Sequence, residues 1–94
     1  MLDDKISPSS EVVDTTLNDG EVVLLHLESK MYYSLNSTGE QIWRGLKEGV
    51  SLNEISQRLQ DEFDVSEQDA DRSVVDLLNE LCEQKLALRH NRNV

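Results

Sequence analysis

The sequence predicts an α+β fold in which a three-stranded antiparallel sheet is built first and three helices follow. Two patterns carry this expectation. Up to Asn36 the apolar residues come in short β-branched or aromatic runs divided by turn residues, and beyond Asn36 their spacing changes from about two residues to about 3.6. The chain also has 94 residues, 37% of them hydrophobic, which suffices for one modest core but not for two.

Met1 to Ser9 reads as a flexible lead-in, with Pro8 marking where extended structure begins. In Ser10 to Leu17 the β-branched Val12, Val13, Thr15 and Thr16 favour a first strand. Asn18-Asp19-Gly20 supplies a turn, because Asp-Gly tolerates the positive φ that tight hairpins need. Glu21 to Leu27 is nearly all apolar, which fits the middle strand of a meander covered by helices. After a short turn at Glu28-Ser29, Lys30 to Leu35 forms the third strand.

Ser37 and Glu40 have the spacing of a capping box and open a helix through Lys47, whose apolar face is Ile42, Trp43 and Leu46 and which Gly49 stops. Ser51 and Glu54 form a second box, starting a helix to about Glu62 with Leu52, Ile55 and Leu59 turned inward. Ser66 caps a longer third helix to about Gln84, with Glu67 and Asp69 well placed in its first turn. Leu86-Ala87-Leu88 is a closing extended segment and Arg89 to Val94 a polar tail, leaving residues 10–88 as one domain. Three short helices packed on a small sheet describe a winged helix-turn-helix-like domain.

The formal net charge of −10 opposes any phosphate-bearing partner. It serves either solubility or attraction to a basic peptide, and the sequence leaves both open. No apolar run approaches the roughly 20 residues that cross a bilayer. The N-terminus lacks a signal pattern, so no membrane association and a cytoplasmic location are expected. Cys82 is the only cysteine and sits in a helical apolar pattern, so a buried, inert thiol is the simpler reading.

Catalysis has no candidate. His26 and His90 have no metal-ligand or triad neighbour at useful spacing, and His26 reads as a half-exposed strand residue. Gly20, Gly39, Gly45 and Gly49 are scattered and form no phosphate loop. No metal and no cofactor is expected. A winged-helix DNA-binding transcription regulator is the competing class, because DNA readers share this outline. The third helix and its approach, however, carry Asp61, Glu62, Asp64, Glu67, Asp69, Asp71, Asp76, Glu80 and Glu83 against Arg72 alone before Lys85. Such a surface repels a duplex.

Peptide binding fits better, on two counts. The first and third strands are the edges of the meander, and exposed edges pair with other chains unless blunted. Pro8, Glu11 and Asp14 blunt the first, whereas Met31 to Leu35 has no proline and no acid. On the third helix, Ala70, Val74, Leu77, Leu78 and Leu81 cluster within about 100°, and Val75 and Cys82 widen this arc by roughly 60° on the side shared with Asp71. If that flank borders the third strand, the two form a groove with an apolar floor (Val75, Leu78, Cys82) and an acidic lip at Asp71. Alternatively, Val75 and Cys82 pack against the chain's own termini.

Met31-Tyr32-Tyr33-Ser34-Leu35-Asn36-Ser37-Thr38-Gly39-Glu40-Gln41-Ile42-Trp43 is similar to the signature of the PqqD-like family: a strand ending in Tyr-x-Leu-Asn, a Thr-Gly helix start, then Ile-Trp. The helical half resembles the family too, and the likeness spans roughly residues 10–90. The glycine this family commonly carries before its closing apolar pair is Lys85 here.

The resemblance implies a recognition element for ribosomally made, post-translationally modified peptides, without activity of its own. It implies binding of a precursor's leader as an added strand beside the third strand and against the third helix. The leader is then delivered to a leader peptidase, a cyclase or a radical S-adenosylmethionine maturase, with a lasso-peptide pathway favoured. Carried over by position, the contacts are Lys30, Met31, Tyr32, Tyr33 and Ser34 on the strand and Asp71, Val74, Val75, Leu78 and Cys82 on the helix. Leu35, Asn36, Gly39, Ile42 and Trp43 read as structural. Whether the chain is a monomer or a homo-oligomer stays open, since an exposed edge can also pair with its own copy.

Overall fold

A computed structural model of the chain describes residues 5–90, the side chain of His90 excepted. The elements are β1 (Lys5–Pro8), β2 (Val12–Thr16), β3 (Val22–His26), β4 (Tyr32–Leu35), α1 (Ser37–Glu48), α2 (Leu52–Phe63), α3 (Glu67–Glu83) and β5 (Ala87–His90). The three predicted strands are β2, β3 and β4, joined as an antiparallel sheet in the order β2-β3-β4, and the three predicted helices follow. Tyr33 pairs with Leu24, and Val13 with Leu25.

The predicted lead-in and tail need correction. Lys5–Pro8 is a strand paired antiparallel with Ala87–His90, so Arg89 and His90 belong to a second, two-stranded sheet. Ile6 is half-buried against the core, and the Ser9 N–H donates to the Leu86 carbonyl at 3.0 Å. Its partner lies at the far end of the chain, so no local pattern signals it. The outer parts of both predicted segments, residues 1–4 and 91–94, lie outside the described residues.

Side-chain caps start all three helices. Ser51 Oγ accepts the Glu54 N–H and Ser66 Oγ the Asp69 N–H, both at 3.1 Å, as their spacing predicts. At α1 the cap is one residue earlier than predicted. Asn36 is extended, its Oδ1 accepts the Gly39 N–H at 2.8 Å, and Ser37 is already helical. The ends of α1 and α3 close alike. Gly49 (φ 80°) and Lys85 (φ 63°) are left-handed, and the next residue returns its N–H to the last turn, Val50 to Gly45 O and Leu86 to Leu81 O.

Leu24, Leu35, Ile42, Trp43, Leu46, Ile55, Leu59, Val74 and Leu81 fill the core between sheet and helices. Leu35, Gly39, Ile42 and Trp43 are buried, and Asn36 is the cap of α1. His26 is also inside, only 7% exposed, because it shares strand parity with Val22 and Leu24; the half-exposed reading is thereby corrected. Its Nδ1 accepts the Glu28 and Ser29 N–H groups at 3.3 Å and so holds the turn into β4.

No helix among the described residues seals the opposite face of the sheet, contrary to expectation for an apolar middle strand. Val23 and Leu25 are half-buried there, and Val13, Leu17 and Leu27 are exposed. No helix among the described residues is long and apolar enough to cross a membrane.

Candidate functional site

The register of the sheet decides which backbone groups of β4 are available. The His26 N–H donates to the Met31 carbonyl at 3.0 Å, so residues 26 and 31 form a hydrogen-bonded pair. In an antiparallel ladder such pairs alternate, so Tyr33 and Leu35 also turn their N–H and C=O groups toward β3. Tyr32 and Ser34 therefore turn theirs to the free edge. β4 pairs only with β3, and no hydrogen bond among the described residues takes up those outward groups. At the other edge the Asp14 carboxylate on β2 accepts hydrogen bonds from the side chains of Trp43 and Lys47, tying that strand to α1.

Side chains build a wall beside the open edge. Met31, Tyr33 and Leu35 point to the helical side of the sheet, whereas Tyr32 and Ser34 point away from it. Tyr33 and Leu77 of α3 line a cavity of about 300 Å³ together with Glu21, Ser34, Leu35, Asn36 and Gly39. Tyr33 also reaches Glu80 of α3. Burial, reinforced by that carboxylate, pushes its phenol up to about 12. The site thus combines free strand hydrogen-bonding groups, an apolar flank at Tyr33 and Leu77, and an acid at Glu80. That combination suits an extended peptide with an apolar side chain for the cavity and a basic one for the acid.

The strand residues expected to bind are placed together at this edge. Met31 and Tyr32 are 60% and 72% exposed, Tyr33 is half-buried, Ser34 is exposed, and Lys30 occupies the preceding turn with φ 64°. On α3 the expectation needs correction. Val74 and Leu78 are 0% and 2% exposed and belong to the core, so they offer a guest no surface. Asp71 accepts the Ser56 hydroxyl of α2, and Val75, one turn later, shares that side of the helix. Cys82 is half-buried rather than buried as expected, because it lines a more open, polar hollow of about 650 Å³ with Asp76, Asn79, Glu80, Glu83 and Arg89. The cavity beside β4 is instead lined by Leu77, with Glu80 next to it, on the opposite flank of the apolar stripe. Leu77 was legible only as a core residue and Glu80 only as one acid among many. Among the described residues, no cluster of His, Cys, Asp and Glu is positioned to hold a metal ion.

Comparison with known proteins gives three matches. The family model described as Coenzyme PQQ synthesis protein D (PqqD) matches residues 21–87. A solved structure described as lasso peptide synthetase B1 complexed with the leader peptide is 31% identical, covering 89% of this chain and 98% of its own, with a TM-score of 0.82. Another, TbiB1 in complex with the TbiA(beta) leader peptide, is 34% identical, covering 86% and 93%, with a TM-score of 0.79. No curated protein matches the chain.

Proposed function

Because this chain belongs to the PqqD family, we propose that it binds the leader segment of a ribosomally made precursor peptide and holds it for a separate modifying enzyme. The family is one of non-catalytic binding domains. Both similar structures were solved with leader peptides, one of them a lasso peptide synthetase component, which supports a role in a lasso-type pathway. The enzyme served is a leader peptidase with its cyclase; a radical S-adenosylmethionine maturase is the other kind of partner.

One observation carries the reading: among the described residues, the outward N–H and C=O groups of Tyr32 and Ser34 have no partner beside the cavity lined by Tyr33 and Leu77. A leader laid along β4 satisfies those groups as a fourth strand. Its side chains on the helical side meet Tyr33, Leu77 and Glu80, with Lys30 and Met31 at one end of the strand. Backbone pairing supplies affinity and the cavity supplies selectivity. The expected Kd is sub-micromolar to micromolar, roughly −8 to −10 kcal/mol.

Ser34→Pro tests this directly. The Ser34 N–H faces the free edge, so proline there removes a donor a guest needs while leaving the β3 ladder whole. Titration of a fluorescent cognate leader should give at least tenfold weaker binding than wild type, with an unchanged circular dichroism spectrum. Equal affinity for both proteins overturns strand addition at β4.

A further inference from the structure

The face of the sheet turned away from the helices is unusual for so charged a chain. By strand parity it comprises Val13, Thr15, Val23, Leu25, Tyr32 and Ser34, with Leu17 and Leu27 just beyond the strand ends, across from Glu21 and Glu11. No charged residue is among the six strand positions, although 30% of the sequence is charged. An antiparallel sheet with one face in water ordinarily alternates apolar and polar residues. Here Val13, Leu17, Leu27 and Tyr32 are 42%, 44%, 41% and 72% exposed. The perimeter differs: Glu11, Asp19, Glu21 and Glu28 are exposed, with Lys30 the one cation among them. None of the four acids enters an ion pair among the described residues. An apolar centre inside a charged rim is the anatomy of a protein interface.

We infer that this outer sheet face docks the modifying enzyme, through an apolar patch on that enzyme ringed by basic residues. Charge selects the occupant. A second copy of this chain would bring the same acids against each other, on top of a net charge of −10, so self-association is disfavoured. The face is also continuous with the leader site, because Tyr32 and Ser34 belong to both. Resting on the strand-addition reading, a leader paired with β4 would extend the sheet and add alternate side chains of its own to this face. The enzyme then contacts domain and leader together, and each strengthens the binding of the other.

The test uses the full chain, its cognate leader and the purified peptidase or maturase encoded beside it. Val13→Lys puts a charge on the face directly across from Leu25 of the middle strand. The double variant Val13→Thr with Leu25→Thr removes apolar surface from a directly paired position while leaving strand-favouring β-branched residues at both sites. Leader affinity, measured alone, should stay within about twofold of wild type for both. Enzyme affinity should fall at least tenfold for both, and wild-type affinity should rise when leader is present. Unchanged enzyme binding by both variants overturns the docking face. So does a wild-type dimer in sedimentation that Val13→Lys converts to monomer. Failure of the wild type to bind leader sinks the strand-addition reading instead, and the enzyme measurement without leader still decides the face.

Discussion

Asp14 on β2 accepts the indole N–H of Trp43 on α1 at 2.8 Å, tying the first edge of the sheet to the first helix. The same oxygen takes the Lys47 ammonium at 2.6 Å. Lys47, then Trp43, hold the Asp14 carboxyl below its ordinary 3.8. Asp14→Ala removes two bonds to a partly exposed carboxylate, and a loss of about 1–2 kcal/mol is expected at pH 7. The depressed value sets the pH dependence. The stabilisation is complete above the unfolded carboxyl's ordinary value and is lost as pH falls through the lower folded value. Urea denaturation at neutral pH and below about pH 4 should therefore show the gap between wild type and variant closing with acid.

Tyr33 makes the opposite prediction at the alkaline end. Its phenol is raised to about 12, first by burial and then by Glu80. The unfolded chain releases this proton near 10, so stability is intact below that pH and declines as pH climbs toward about 12. Tyr33→Phe removes this part of the decline. Phenolate absorbance provides the direct check: the chain has two tyrosines, and the late-titrating one should vanish in the variant.

Gly45 lies inside α1, where helix propensity alone favours alanine by roughly 1 kcal/mol. Packing reverses that sign. A Cβ at this position would stand 2.5 Å from Ile55 Cγ1 and 2.9 Å from Ile55 Cδ1, so glycine allows α1 and α2 to approach. Gly45→Ala should destabilise by about 1–3 kcal/mol in thermal or urea unfolding. Adding Ile55→Val, which removes the Cδ1 contact but keeps the closer γ carbon, should leave most of the loss in place, and a stabilised Gly45→Ala would show that α2 shifts freely.

The features legible in the sequence are those with local causes. Asp19-Gly20 marks the hairpin turn, and Ser51 and Ser66 cap helices through the N–H three residues on. The β1–β5 pairing escaped because Ile6 and Arg89 are brought together only by the closed fold. For the site, the open edge at Met31 to Leu35 follows from the absence of proline and acids in that strand. The helix flank does not follow. The apolar stripe of α3 has two borders, and the broader one, at Val75 and Cys82, is the more conspicuous in sequence. Which border meets β4 depends on how α1 and α2 carry the chain back across the sheet. That geometry selects Leu77 and Glu80.

Lys85 occupies a position that backbone geometry reserves for glycine. Its φ of 63° is left-handed, its N–H donates to Cys82 O at 3.1 Å, and the Leu86 N–H donates to Leu81 O at 2.8 Å. These two bonds close α3 and turn the chain into β5, with Leu81 and Leu86 both buried. A residue with a Cβ held in this region is strained by roughly 1–3 kcal/mol. Glycine removes that strain but loses about 0.5–1 kcal/mol through its greater freedom when unfolded. Lys85→Gly should therefore be net stabilising by about 1 kcal/mol, a rise of about 4–8 °C in Tm for a domain of this size. Lys85→Val, β-branched and worse suited to positive φ, should lower Tm. Thermal melts of the two variants beside wild type decide the point, and a lowered Tm for Lys85→Gly would mean that the lysine side chain stabilises this turn by more than its backbone strain costs.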